Sequence, residues 1–248
     1  MKSLRRVRVA TRRKPSRTLL VPRSNPFAER IPSTGDEDVR SLVKKTIFLS
    51  CSHFVVRSLG FLLRIWLSRE LGAQAMGICE LAQSAQMLLI TPVVSGLPAA
   101  VTRMSAKESE GRRVRTLRCA AALSLAVSLA LALLAFLGRE ALCAWLGDIR
   151  TMPSLLLYLP CIPILGMSCV LNGYAYGIGK PIAPAVGELL EQVVRALLCV
   201  RLVYGLRGMP LTLVAAIPAA AALAGETAGF LLILTVSLRT LLRRGEGA

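Results

Sequence analysis

Ser50, His53, Arg57, Arg64 and Ser68 recur at spacings of three, four, seven and four through an otherwise apolar stretch of this chain. Such spacing stacks them on one face of an α-helix. The stretch covers residues 46–66, about the 20 apolar residues needed to cross a hydrocarbon layer, and Arg57 lies near its middle. A guanidinium at that depth costs roughly 2.5–3.5 kcal/mol on insertion scales, so it faces a protein or water-filled interior. Arg57 is therefore a candidate functional-site residue facing a cavity. Arg64 lies nearer the end of the stretch, where its long stem also allows the charge to reach the interface. His53, the only histidine, is either a proton relay or a structural hydrogen-bonding partner.

A second polar face occurs in the apolar stretch 182–204, where Glu188, Glu191, Gln192 and Arg195 align. Glu191 and Arg195 stand in the favourable i,i+4 order for an ion pair. That pair is either scaffold or part of a solute pathway that rearranges during transport. Glu226 lies between Gly225 and Gly229, a GxxxG pattern that lets helices approach closely, and packing is the expected role of this segment. Enzyme chemistry has no constellation here: the chain lacks HExxH, GxSxG and a phosphate-cradling glycine loop with its lysine. No cofactor or metal is expected. The seven cysteines, Cys51, Cys79, Cys119, Cys143, Cys161, Cys169 and Cys199, form no CxxC pair and read as small buried hydrophobes.

The elements that must hold these side chains are membrane helices. Of 248 residues, 54% are hydrophobic, and they come in long blocks with no strand or surface-helix alternation. Six stretches of spanning length occur, at 46–66, 76–100, 117–137, 151–171, 182–204 and 211–238. Backbone groups in lipid must be satisfied within their own segment, so each is expected to be helical, giving an all-α polytopic bundle of six transmembrane helices. Several carry proline, at Pro92, Pro98, Pro160, Pro163, Pro184 and Pro218, which suits either packing or helices that bend between states.

Charge orders the topology. Residues 1–45 hold 13 bases and four acids, a net +9 of the chain's +17. Counting alternate connections places 23 bases on one side and only Arg69, Arg139, Arg150, Arg201 and Arg207 on the other, which predicts both termini in the cytoplasm. Residues 1–44 mix arginine with proline, serine and threonine, carry no apolar run of signal-peptide length, and read as a disordered cytoplasmic arm. Beside a membrane its partner is anionic lipid and not nucleic acid. The six-helix lobe is expected over 45–240, with a short basic cytoplasmic tail at 241–248.

The segment RSLGFLLRIWLSRELGAQAMGICELAQS, followed by SGLPAAVTRMSAK, resembles the opening two helices of the polysaccharide-exporter and stage V sporulation protein B family, within the multidrug/oligosaccharidyl-lipid/polysaccharide flippase superfamily. LNGYAYGIGKPIAPAVGELLEQVVRALL is similar to that family's junction of the fourth and fifth helices, a GY-x-x-G turn before a helix carrying E-Q-x-V-R. The resemblance covers about 44–205. It implies two six-helix lobes around a central cavity, working by alternating access to carry lipid-linked saccharides outward across the bacterial cytoplasmic membrane. The implied cargo is an undecaprenyl-pyrophosphate-linked precursor of peptidoglycan or polysaccharide, in cell-wall synthesis or sporulation. Arg57, Arg64 and Arg103 fall on basic positions of the family pattern, and Glu191 with Arg195 on its fifth-helix motif. Pyrophosphate suits the bidentate geometry of guanidinium. Lys107 stands where the family commonly has an acid, and family members carry about twice this number of helices.

The expectation is thus the amino-terminal lobe of a flippase, with Arg57, Arg64, Arg103 and Arg195 binding substrate and Glu188, Glu191 and Arg195 forming a gating ion-pair group. A second-lobe chain or a second copy would complete the pathway. Two alternatives stand beside it: a cation-coupled multidrug exporter of the same fold, in which carboxylates would outnumber arginines along the cavity, and a non-transporting interaction protein or truncated remnant.

Overall fold

The computed structural model describes residues 36–206 and 208–245. The described residues divide into two units at the Leu42–Val43 boundary. Up to residue 35 the expected disordered arm lies outside the described residues, and so does the end of the expected tail; within the described part, helix begins at Asp36.

Among the described residues all regular secondary structure is helical, with eight α-helices and one 3-10 turn joined by short turns. They are α1 Asp36–Val94, α2 Leu97–Lys107, α3 Glu110–Leu137, α4 Arg139–Leu146, α5 Met152–Tyr158, α6 Cys161–Gly177, α7 Ile182–Gly205 and α8 Leu211–Gly245. Four segments are long and apolar enough to cross a membrane: Thr46–Lys107, Gly111–Leu137, Ile149–Gly177 and Leu211–Thr240. The expected six separate spans are therefore not reproduced as drawn. The first two correspond to the two helices joined within the 59-residue α1, the second running on into α2; the fourth is built from α5 and α6, and α7 is long enough but carries Glu188, Glu191, Arg195 and Arg201.

The long α1 is two helices joined at Gly72, whose φ of 77° and ψ of 169° lie in a region side chains with a Cβ avoid. Arg64 Nη2 and Glu80 Oε2 are 2.7 Å apart. Sixteen residues along a continuous helix would separate them by about 24 Å, so the chain folds back at Gly72, midway between them. Beside this hairpin, Leu67 and Met76 pack in one apolar cluster with Cys199 and Val203 of α7 and Ile217 and Ala221 of α8.

Glycines and serines, more than large side chains, set the helix crossings, as expected where lipid leaves no hydrophobic drive between helices. A Cβ on Gly173 would lie 2.7 Å from Pro98 O, and one on Gly177 would lie 2.7 Å from Ser105 Cβ, so α6 touches α2 backbone to backbone. Thr102 Oγ1 donates across this contact to Gly173 O at 3.0 Å. On α3, Ala120, Ser124, Ser128, Ala132 and Ala135 are buried, while Leu125, Leu129, Leu133 and Leu134 are exposed. The helix buries its small residues and presents its leucines to the bilayer.

The prolines divide by position. Pro98, Pro163 and Pro184 lie in the first turns of α2, α6 and α7, and Pro160 is the N-cap of α6, places where a missing amide proton costs little. Pro92 and Pro218 alone stand inside helices, in α1 and α8. Of the seven cysteines, Cys79, Cys143, Cys161 and Cys199 are buried as expected, whereas Cys51 and Cys119 are exposed.

Candidate functional site

The GxxxG pair of α8 is the element that builds the site. A Cβ on Gly225 would lie 2.7 Å from Glu191 O, and one on Gly229 would lie 3.2 Å from Gly187 O. With no side chain in the way, α8 lies directly on α7, and the residue after Gly225 is carried against Arg195. Arg195 Nη2 is 2.6 Å from Glu191 Oε1 on its own helix and 3.5 Å from Glu226 Oε1 on α8. Glu226 is 7% exposed, against 24% for Arg195 and 23% for Glu191, so the deepest charge in the group is a carboxylate.

This trio opens into a cavity of about 500 Å³ between the two legs of α1 and helices α7 and α8, lined also by Tyr158 of α5 and Leu165 of α6. Arg64 and Glu80 from the hairpin line the same space, as do Gln83 and Gln192. Gln192 Oε1, Arg195 Nε and Glu226 Oε2 are buried without a hydrogen-bonding partner. A second hollow of about 360 Å³ adjoins the first, sharing Gly60 and Gln192, and is lined also by His53, Arg57 and Glu188. His53 Nδ1 lies 3.0 Å from Glu188 Oε2. Together the two hollows form a polar seam: residues 53, 57, 60 and 64 along α1 face residues 188, 191, 192 and 195 along α7.

The sequence-derived candidates fare differently. Arg64 and Arg195 both line the cavity, each engaged by carboxylate, Arg64 with Glu80 and Arg195 with two partners. Arg57 lines the adjoining hollow, is exposed, and has no carboxylate within 4 Å among the described residues. Glu188 is joined to His53 and not to Arg195, so the expected group of Glu188, Glu191 and Arg195 is divided between the two hollows. Arg103 is exposed on α2 and lines neither hollow.

Two members were missed from sequence. Glu226 was read as part of a packing segment, although its place inside a GxxxG pair is what carries it to α7. Glu80 went unread because the turn between the first two spans had no fixed centre; with Gly72 as pivot, Arg64 and Glu80 are equidistant and must meet. The cavity holds three carboxylates and two guanidiniums, with amides among them, so it offers both donors and acceptors to a polar solute. Among the described residues, no group of three histidine, cysteine or acidic side chains is arranged to hold a metal.

The chain is 30% identical over 161 residues to stage V sporulation protein B of Bacillus subtilis (strain 168), an alignment covering 63% of this chain and 31% of that protein. It therefore matches about a third of that relative's length. No solved structure matches. The family described as polysaccharide biosynthesis protein matches residues 42–243, across both legs of α1, the GxxxG pair and every charged group of the seam. This chain belongs to the polysaccharide biosynthesis protein family.

Proposed function

We propose that this chain is a lobe of a flippase-type transporter that moves a lipid-linked saccharide, of the undecaprenyl-pyrophosphate class, across the bacterial cell membrane by alternating access. The observation that carries the reading is the polar seam: hollows of about 500 and 360 Å³ lined by charged and amide groups, in a bundle whose outer faces are leucine and phenylalanine. Family membership supports the same reading, as does the similarity to stage V sporulation protein B, whose name ties that relative to sporulation. Within the seam Arg57 has no carboxylate partner among the described residues and is the first contact offered to a pyrophosphate; Arg64 and Arg195 exchange a carboxylate for phosphate oxygens as cargo enters. Both termini lie in the cytoplasm, and a second-lobe chain or second copy covers the seam.

Replacing Arg57 by alanine is expected to abolish export of the lipid-linked precursor in a complementation assay while membrane insertion is unchanged. Full rescue by Arg57→Ala removes this residue from the mechanism. One observation favours a second reading, a cation-coupled exporter of the same fold: Glu80, Glu191 and Glu226 outnumber Arg64 and Arg195 around the cavity, the reverse of the arginine excess expected from sequence. On that reading Glu226→Gln uncouples transport from the ion gradient. On the flippase reading, the variant retains precursor export.

A further inference from the structure

A third hollow lies outside the seam, on the lipid-facing side of α7 and α8. It has a volume of about 590 Å³, and its walls are apolar: Ile182, Ala183 and Val186 from the first turns of α7, with Leu232 and Val236 from α8. Lys180 is its single charged wall residue, and no acid lines it.

The turn before α7 places that lysine. Gly179, at φ 75°, takes the left-handed position after α6, and Lys180 N–H donates back to Ala175 O at 2.9 Å, closing the helix end. Lys180 is thereby fixed at the mouth of the groove, where its ammonium lies 3.5 Å from Thr240 Oγ1. Thr240 follows the apolar run 211–238, beside Arg239 and ahead of Arg243 and Arg244, so the mouth lies where that run gives way to basic sequence at the bilayer surface. Arg239 is exposed on the same face of α8, three residues beyond Val236 and seven beyond Leu232. The N-terminus of α7 also opens here without a side-chain cap, leaving the amide protons of Ile182 and Ala183 to spare, since Pro181 and Pro184 carry none.

We propose that this groove is a binding site for an anionic phospholipid. An acyl chain fills the apolar walls, and the phosphate lies between Lys180 and Arg239 at the uncapped end of α7. Lys180 spends one ammonium proton on Thr240 and keeps two for phosphate oxygens. The committed occupant is a phospholipid, because free phosphate leaves the apolar walls empty and a zwitterionic lipid leaves two cations without net compensation.

The test uses the full chain in phosphatidylcholine nanodiscs doped with phosphatidylglycerol that carries a photoreactive group midway along one acyl chain. Crosslinks are expected in peptides containing Ile182 to Val186 and Leu232 to Val236. Lys180→Gln with Arg239→Gln should weaken that labelling roughly 25-fold, each base near an anionic surface counting for about fivefold. Lys180→Arg should retain it, and Ala183→Phe should remove labelling by filling the groove while leaving both bases in place. Inorganic phosphate should not compete. Equal labelling by the phosphatidylcholine analogue, unchanged labelling of the double glutamine variant, or competition by phosphate would overturn the proposal. Because the basic amino-terminal arm is present in every variant, crosslinks mapped to residues 1–45 alone would count against it as well.

Discussion

Arg195 is held between two carboxylates, and its surroundings fix what each side chain of the trio is worth. Removing the guanidinium leaves Glu191 and Glu226 facing each other in the bundle with no cation between them. Breaking a buried charge group in this way costs about 3–5 kcal/mol, so Arg195→Met is expected to destabilise the fold by that amount in reversible unfolding from detergent micelles. Glu226→Gln is a different matter. Arg195 keeps the shorter contact to Glu191 at 2.6 Å, and an amide still offers an oxygen at the 3.5 Å position. The expected loss is below about 1 kcal/mol, near that of one neutral hydrogen bond. A larger loss from Glu226→Gln than from Arg195→Met would mean that the trio is organised around the acid. Arg64 and Glu80 form a more open pair, with side-chain exposures of 62% and 34%. A double-mutant cycle on that pair should return about 1 kcal/mol or less.

At the level of elements, the contact of α7 with α8 depends on two missing side chains. Gly225→Leu forces a branched side chain into a space where even a Cβ lies 2.7 Å from the Glu191 carbonyl, and the helices must separate. Overpacking of this kind costs about 1–3 kcal/mol, and here it also draws Glu226 away from Arg195. Melting temperature and the Arg195→Met penalty should fall together in this background, because the trio is already opened. Much of this architecture was legible beforehand. Long apolar blocks announced membrane helices, the spacing of Ser50, His53, Arg57 and Arg64 announced one polar face, and that of Glu188, Glu191 and Arg195 announced another. The pairing across helices was not legible, since 3.6-residue periodicity says which face a residue occupies and nothing about which helix meets that face. Arg64 was thus separated from Glu80, and Glu226 from Arg195. Hydropathy separates the first two spans without locating the pivot between them at Gly72, because it registers the length of an apolar run and is blind to the one residue whose backbone turns it.

For the whole molecule, the seam has an accessibility that can be measured. Polar side chains on α1 and α7 that face acyl chains would carry the full insertion penalty, whereas the same groups around a hydrated hollow carry little of it. Cysteine placed at Arg57, in a background without native cysteines, is therefore expected to react with a membrane-impermeant maleimide. Cysteine at Leu129, which α3 presents to the bilayer, should react roughly tenfold more slowly or worse, because lipid suppresses the reactive thiolate. Equal rates would mean that the seam is dry. The reversal at Gly72 bears on how such a molecule is made. A ribosome delivers Arg64 to the membrane before Glu80, yet the two lie level once the chain has doubled back, and either charge alone would resist entering hydrocarbon by about 3 kcal/mol. Partitioning as a preformed helical hairpin would let Arg64 and Glu80 leave the insertion channel as a neutral pair, so the glycine that bends the chain is also expected to order its biogenesis, holding the first leg in the channel until the second has been synthesised.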